Sequence, residues 1–163
     1  MAVDMFIKLD SLKGEAQDAD AKHKDTIDVL AWSWGESNSG NAHVGGGAGA
    51  GKVNVQDLSF TKHIDLASTS LMEYCANGKH FAKATLTVRK AGDKPLEYLI
   101  VEMGEVFISS YSTGGSGGED RLTENVTLNF AKVKLKYTAQ VAGGGKGADN
   151  TFGWDISGNA AWA

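Results

Sequence analysis

Alternation with a period of two runs through most of the chain, and in its longest stretch, Leu96 to Tyr111, hydrophobic residues fall on both faces. Successive side chains of a strand point to opposite faces, so a strand apolar on both needs cover on both. The rest of the sequence supplies one short helical segment. Sheet must therefore cover sheet, and neighbouring subunits are the obvious source of what remains. Composition agrees: 21 Gly against one Pro in 163 residues suit long strands joined by turns that need positive φ. The length is that of one domain, residues 1–163, against about 150 per domain.

Met5 to Leu9 reads as a short opening strand, and Asp10 to Asp25 as a polar excursion with one turn of helix. Ile27 to Gly35 reads as a second strand, with Ile27, Val29, Ala31 and Ser33 on one face and Asp28, Leu30, Trp32 and Trp34 on the other. Large aromatics opposite small residues suit a strand covered twice, or one that faces a partner. In Val53 to Phe60 the alternation slips between Val55 and Leu58, which is the sequence form of a β-bulge. Phe81 to Arg89 and Leu96 to Tyr111 are strands around a turn at Ala91 to Pro95. Ser112-Thr-Gly-Gly-Ser-Gly-Gly118 reverses the chain into Leu122 to Tyr137, where Val126, Leu128 and Phe130 give way to Val133, Leu135 and Tyr137. This second slip implies another bulge. After the linker Ala142 to Asp149, a C-terminal strand falls within about residues 150–160. About seven strands and one helix predict a mainly β, Greek-key, two-sheet barrel or sandwich.

The helix is placed at Ser68 to Gly78. Leu71, Met72, Cys75 and Ala76 share a face, and Ser70 with Glu73 fits a capping box, Ser68 being an alternative N-cap. Gly78 stands where a C′ residue belongs, and Lys79 and His80 suit the negative end of the dipole. So short a helix cannot stand alone and must pack on a sheet.

Glu36 to Gly51 holds one core-forming residue, Val44. A structureless run of about 15 residues inside a compact domain is uncommon and points to an extended, glycine-rich interaction arm, about residues 36–52. Within it, Gly46-Gly-Ala-Gly-Ala-Gly51-Lys52 fits G-x-x-x-x-G-K. A phosphate loop continues with Ser or Thr and opens a helix. Val53 and an alternating strand follow instead, which favours an arm over a nucleotide site.

Other chemistry is offered and declined. Lys+Arg 16 against Asp+Glu 20 leaves a formal −4, the wrong balance for binding nucleic acid. Cys75 is the only cysteine, so no internal disulfide or multi-cysteine metal site is expected. On the apolar helix face it reads as a small core residue. His23, His43, His63 and His80 lack the short spacing that puts two imidazoles on one metal. Glu119-Asp120-Arg121 reads as a salt-bridged strand entry more readily than as an acid/base pair. Trp32, Trp34, Trp154 and Trp162 read as core or interface packing. No catalytic residue, cofactor or metal site is expected. With Asp4 and Lys8, the N-terminus lacks the apolar stretch of about 7–15 residues that a secretory signal needs, and no segment reaches a membrane span. The chain is expected to be made in the cytoplasm, without membrane insertion, and to be exported only by a route that reads the folded state.

Met1 to Lys8, Ile27 to Gly35, Gly49 to Lys62 and the nineteen-residue Ser112 to Phe130 carry a close resemblance. Over nearly its whole length the chain resembles the haemolysin-coregulated protein (Hcp) family, inner-tube subunits of the bacterial type VI secretion system. The resemblance implies a two-sheet β-barrel flanked by a helix, six copies of which close into a ring with an open lumen. It implies rings stacked into a tube, tipped by a spike protein, driven out by a contractile sheath and carrying small secreted effectors. It implies no catalysis, and the chain ends too soon for a fused toxin. In Trp32-Ser33-Trp34 the family places the serine on the lumen wall, so Ser33 is the candidate cargo contact, the alternative being a sheet serine with no cargo role. The arm from Ser37 to Lys52 is expected to dock on the adjacent subunit or ring, with Val44, Gly45, Gly46, Gly47, Gly49, Gly51 and Lys52 as contacts. Glu119, Asp120 and Arg121 are expected to lock strand entry or a subunit contact. Two other classes stay open: a non-catalytic carbohydrate-binding β-sandwich that uses the tryptophans, and a nucleotide binder that uses Lys52.

Overall fold

A computed structural model describes residues 2–40 and 51–163. The elements are β1 (Val3–Leu9), β2 (Ile27–Asp28), β3 (Ala31–Ser33), β4 (Glu36–Ser37), β5 (Asn54–Val55), β6 (Leu58–His63), α1 (Ser68–Asn77), β7 (His80–Lys90), β8 (Leu96–Gly114), β9 (Thr123–Gln140), β10 (Lys146–Asp155) and β11 (Ala160–Ala161). All pairings are antiparallel. A nine-stranded sheet runs β11-β10-β9-β8-β7-β1-β2, with β6 bonded to both β9 and β3, and β4–β5 forms a separate ribbon. Two sheets of comparable size are not what the pairings make. Instead β9, 18 residues long, carries β6 along its first half and β10 along its second, on the edge away from β8. The ladders do not close into a barrel. At one point, though, consecutive amides bind different neighbours: Val29 N–H donates to Met5 O (2.9 Å) and Leu30 N–H to Thr61 O (2.8 Å), handing the chain from β1 to β6. That handover breaks the expected strand Ile27 to Gly35 into β2, β3 and β4.

Hydrophobic residues on both faces of β8 have a different cause from the double cover the alternation suggested. Val101 and Met103 are buried at odd positions, Val106 and Ile108 at even ones, and all four enter the same core. The first change of phase falls at Glu105, whose φ is 53. β9 changes phase beside it, Phe130 facing Val106 and Val133 facing Met103 along an unbroken register. No residue is inserted in β9, so the bulge expected there is absent. A real register shift lies in β8, between Ile108 and Ser110. A slip of one residue turns the following side chains to the other face. The slip between Val55 and Leu58 is also found: two residues separate Ser33 from Glu36, while three separate their partners Val55 and Ser59.

α1 lies against β8. Its inner face is Leu71, Tyr74 and Cys75, the Tyr74 ring meeting Phe81 edge-on at 5.3 Å, whereas Met72 and Ala76 are exposed. Ser70 and Glu73 do not cap it. Capping occurs one turn earlier, where Asp65 Oδ1 accepts from Ala67 N–H (2.9 Å) and Ser68 Oγ accepts from Asp65 N–H (2.9 Å). Gly78 is left-handed (φ 70) and donates to Tyr74 O, as its place predicts. The C-terminal strand starts earlier than expected, at Lys146, taking in half of the glycine linker. Trp162 N–H returns to Gly153 O (3.0 Å), and a Cβ at Gly153 would collide with the Trp162 carbonyl.

Candidate functional site

Antiparallel pairing of β3, β6, β9 and β8 lines up residues in rows. One row is Ser33, Ser59, Thr127 and Ser110; the next is Ala31, Thr61, Asn125 and Ser112. Period-two alternation puts all eight on one face of the layer. Ser33, Ala31, Ser110, Ser112 and Asn125 are exposed and the other three half-buried. Cross-strand bonds join Ser59 Oγ to Thr127 Oγ1 (3.1 Å) and Thr61 Oγ1 to Asn125 Oδ1 (2.7 Å). None of the eight is charged. The register shift in β8 is what brings Ser110 and Ser112 into these rows, because without it they would follow Ile108 inward. Ser33 thus belongs to a built surface, and beyond Ala31, its neighbour on the same strand face, the six companions from β6, β9 and β8 are not evident from the sequence as one surface. Their signal is present as small polar residues alternating with Trp32, Phe60, Val126 and Leu128.

The opposite face of the layer ends in buried charge. Lys62 and Glu124 face each other across β6 and β9, both fully buried and ion-paired. Lys62 Nζ also donates to Asp65 Oδ1 (2.8 Å), Ser68 Oγ donates to Glu124 Oε1 (2.7 Å), and Tyr111 O–H donates to Glu124 Oε2. Burial, then the Glu124 carboxylate, push the Tyr111 phenol well above its ordinary range. The network ties β6, the start of α1, β8 and β9 together. A charged residue on the apolar face of each of two strands is the sequence sign of it.

Of the arm, Val44, Gly45, Gly46, Gly47 and Gly49 lie outside the described residues. Its foot is the β4–β5 ribbon, with Asn38 Nδ2 donating to Gly51 O (2.8 Å) and Lys52 exposed. No helix follows Lys52; β5 does, which leaves the phosphate-loop pattern without its scaffold. Beside the foot, Lys52, Gln56, Phe107 and Ile156 line a groove of about 700 Å³. At its edge Asp57 accepts from Ser109 Oγ and Asn129 Nδ2 (both 2.8 Å). Glu119, Asp120 and Arg121 are exposed, and among the described residues none forms an ion pair, so the salt-bridged strand entry is not there. The charge that does fix strand entry is Glu124, just beyond them. Trp32, Trp34 and Trp154 pack against the core, and Lys134 Nζ stands 4.4 Å above the Trp162 ring. They form no open aromatic platform for a sugar.

Fold and surface together define a β-scaffold protein whose candidate functional groups sit on an extended face of its sheet. The family model described as type VI secretion system effector, Hcp, matches residues 6–137, and the chain belongs to the Hcp family. It is 63% identical over 161 residues to Protein hcp1 of Pseudomonas aeruginosa strain PAO1, covering 98% of each chain. Among solved structures, one described as a type six secretion system protein superposes with TM-score 0.91 at 33% identity, covering 99% of this chain and all of the other. Hcp1 from Salmonella typhimurium superposes with TM-score 0.80 at 40% identity, again over 99% of this chain and all of the other. Among the described residues, no helix is long and apolar enough to cross a membrane.

Proposed function

We propose that this chain is a structural, non-catalytic subunit of the type VI secretion tube, with the hydroxyl face of β3, β6, β9 and β8 turned to the lumen. Six copies close head to tail into a ring, and rings stack behind a spike inside a contractile sheath. The protein is made in the cytoplasm and exported folded, with small effectors in the lumen. The observation that carries this reading is the pair of uncharged rows. Short hydroxyls and amides keep water bound and offer a passenger neither a charge nor a large apolar anchor, so small effectors of varied sequence are held weakly and released.

A head-to-tail ring needs two different patches on each protomer. Exposed apolar residues stand at both ends of β9: Ile64, Leu66 and Leu122 near its start, Tyr137 and Phe152 near its far end. The arm from Ser37 to Lys52 adds a contact on the adjacent subunit or ring, and Glu119, Asp120 and Arg121 border the first apolar patch. Size-exclusion chromatography with light scattering is expected to give the mass of six protomers. Ser33→Gln should keep that mass and lower capture of a co-expressed effector several-fold; unaltered capture contradicts the lumen role of Ser33. Deleting residues 45–49 should leave a folded protomer that no longer forms rings, and intact hexamers would refute the arm's role.

A further inference from the structure

Away from these surfaces, the segment between β1 and β2 lies across β1 and the start of β8. His23 is its buried anchor. The imidazole is 4% exposed and stacks flat on the Phe6 ring, with centroids 4.6 Å apart and planes 9° from parallel. Its Nε2 is 2.6 Å from Glu97 Oε1, and Thr26 Oγ1 donates to its carbonyl (2.6 Å). Asp20 closes the third side, exposed to solvent, its Oδ1 accepting from Lys22 N–H (3.0 Å). The ligating atoms of Asp20, His23 and Glu97 all lie within 4.8 Å of one another, the one group of three such side chains among the described residues.

We propose that Asp20, His23 and Glu97 form a binding site for a divalent transition-metal ion of the zinc class. One imidazole nitrogen and two carboxylates are a mixed donor set that suits zinc, whereas calcium and magnesium prefer oxygen alone. Tetrahedral zinc with bonds of about 2.0–2.2 Å needs ligand atoms roughly 3.4 Å apart. The ligand atoms all lie within 4.8 Å of one another, His23 Nε2 and Glu97 Oε1 at 2.6 Å, so modest side-chain shifts reach that spacing. Stacking on Phe6 fixes the imidazole before the ion arrives, and exposed Asp20 provides the way in. The fourth position is left to water, as in open three-ligand zinc sites. Lys22 Nζ, 2.8 Å from Glu97 Oε2 on a side chain 60% exposed, is the built-in competitor. Ion pairs so exposed hold weakly. The bound ion would clip the β1–β2 segment to the start of β8, closing a separation of 74 residues.

Isothermal titration of the assembled protein with zinc is expected to give one ion per chain, and zinc should raise the thermal midpoint where magnesium and calcium do not. Asp20→Asn keeps the oxygen that accepts from Lys22 N–H, and should weaken zinc at least tenfold. His23→Gln should abolish binding, and Lys22→Gln should tighten it several-fold. If His23→Gln fails to fold, the opposite changes in Asp20→Asn and Lys22→Gln still decide. Absence of stoichiometric zinc at 100 μM, or zinc binding indifferent to all three substitutions, overturns the site.

Discussion

On one face of the β3–β6–β9–β8 layer, Trp32, Phe60, Val126 and Tyr111 lie in a row that ends beside a fully buried Lys62–Glu124 pair. On the other, Ser33, Ser59, Thr127 and Ser110 lie in a row without a charge, its outer members Ser33 and Ser110 exposed and the middle two half-buried. Ordinary packing would hide the neutral residues and expose the charged ones. The inversion separates two jobs. The inner charges, bonded to Asp65, Ser68 and Tyr111, lock strand register and the start of α1, since a pair buried this deeply tolerates no slip. The outer hydroxyls carry no charge and are joined across strands by Ser59–Thr127 and Thr61–Asn125 hydrogen bonds; in the proposed lumen they would hold a passenger only weakly.

The largest effect should come from the inner face. Glu124→Ala leaves the buried Lys62 ammonium with Asp65 as its one carboxylate partner and takes the acceptor from Ser68 and Tyr111, a loss of up to about 3–5 kcal/mol, read as a lower midpoint in urea unfolding. The double variant Lys62→Met/Glu124→Leu should recover most of it. If the double variant is as unstable as the single one, the pair is not what holds the junction. Next in size, Leu122→Asp alters a side chain 45% exposed, and should change protomer stability by less than about 0.5 kcal/mol while cutting ring mass to that of one chain. A ring that tolerates the aspartate would place the subunit border elsewhere. The smallest effect is at the β1–β7 pairing. There Arg89 holds the Asp18 carboxyl down to about 2 from its ordinary 3.8, chiefly by its hydrogen bond and then with help from Asp20 N–H. A group whose folded pKa is depressed stabilises the fold above its unfolded pKa. That contribution should be present above about pH 4 and lost as pH falls toward 2, and Arg89→Met should flatten this limb of the stability curve.

Much of the fold is legible because period-two alternation survives in β1, β7, β8 and β9, and because Gly78 ends α1 where a left-handed residue is required. Partner choice is not legible. Val29 and Leu30 are neighbours in sequence, yet their amides bind different strands, and nothing in Ile27 to Gly35 announces it. Nor does Leu96 to Tyr111 disclose that its two apolar faces are one core met in successive phases, since the turn at Glu105 depends on β9 alongside. Family resemblance alone points to Ser33. The rows around it needed pairings across 68 residues, from Ser59 to Thr127. Lys62 and Glu124 were within reach, because each interrupts an apolar face with a charge of opposite sign.

If the hydroxyl face surrounds the hole of a ring, Ser33 looks into that hole. Ser33→Cys in a Cys75→Ser background, labelled with a small maleimide-gold particle and imaged by electron microscopy, tests it most directly. Gold density inside the central opening of six-fold rings is the expected image. Density on the outer rim, or a field of single protomers without rings, would contradict the account.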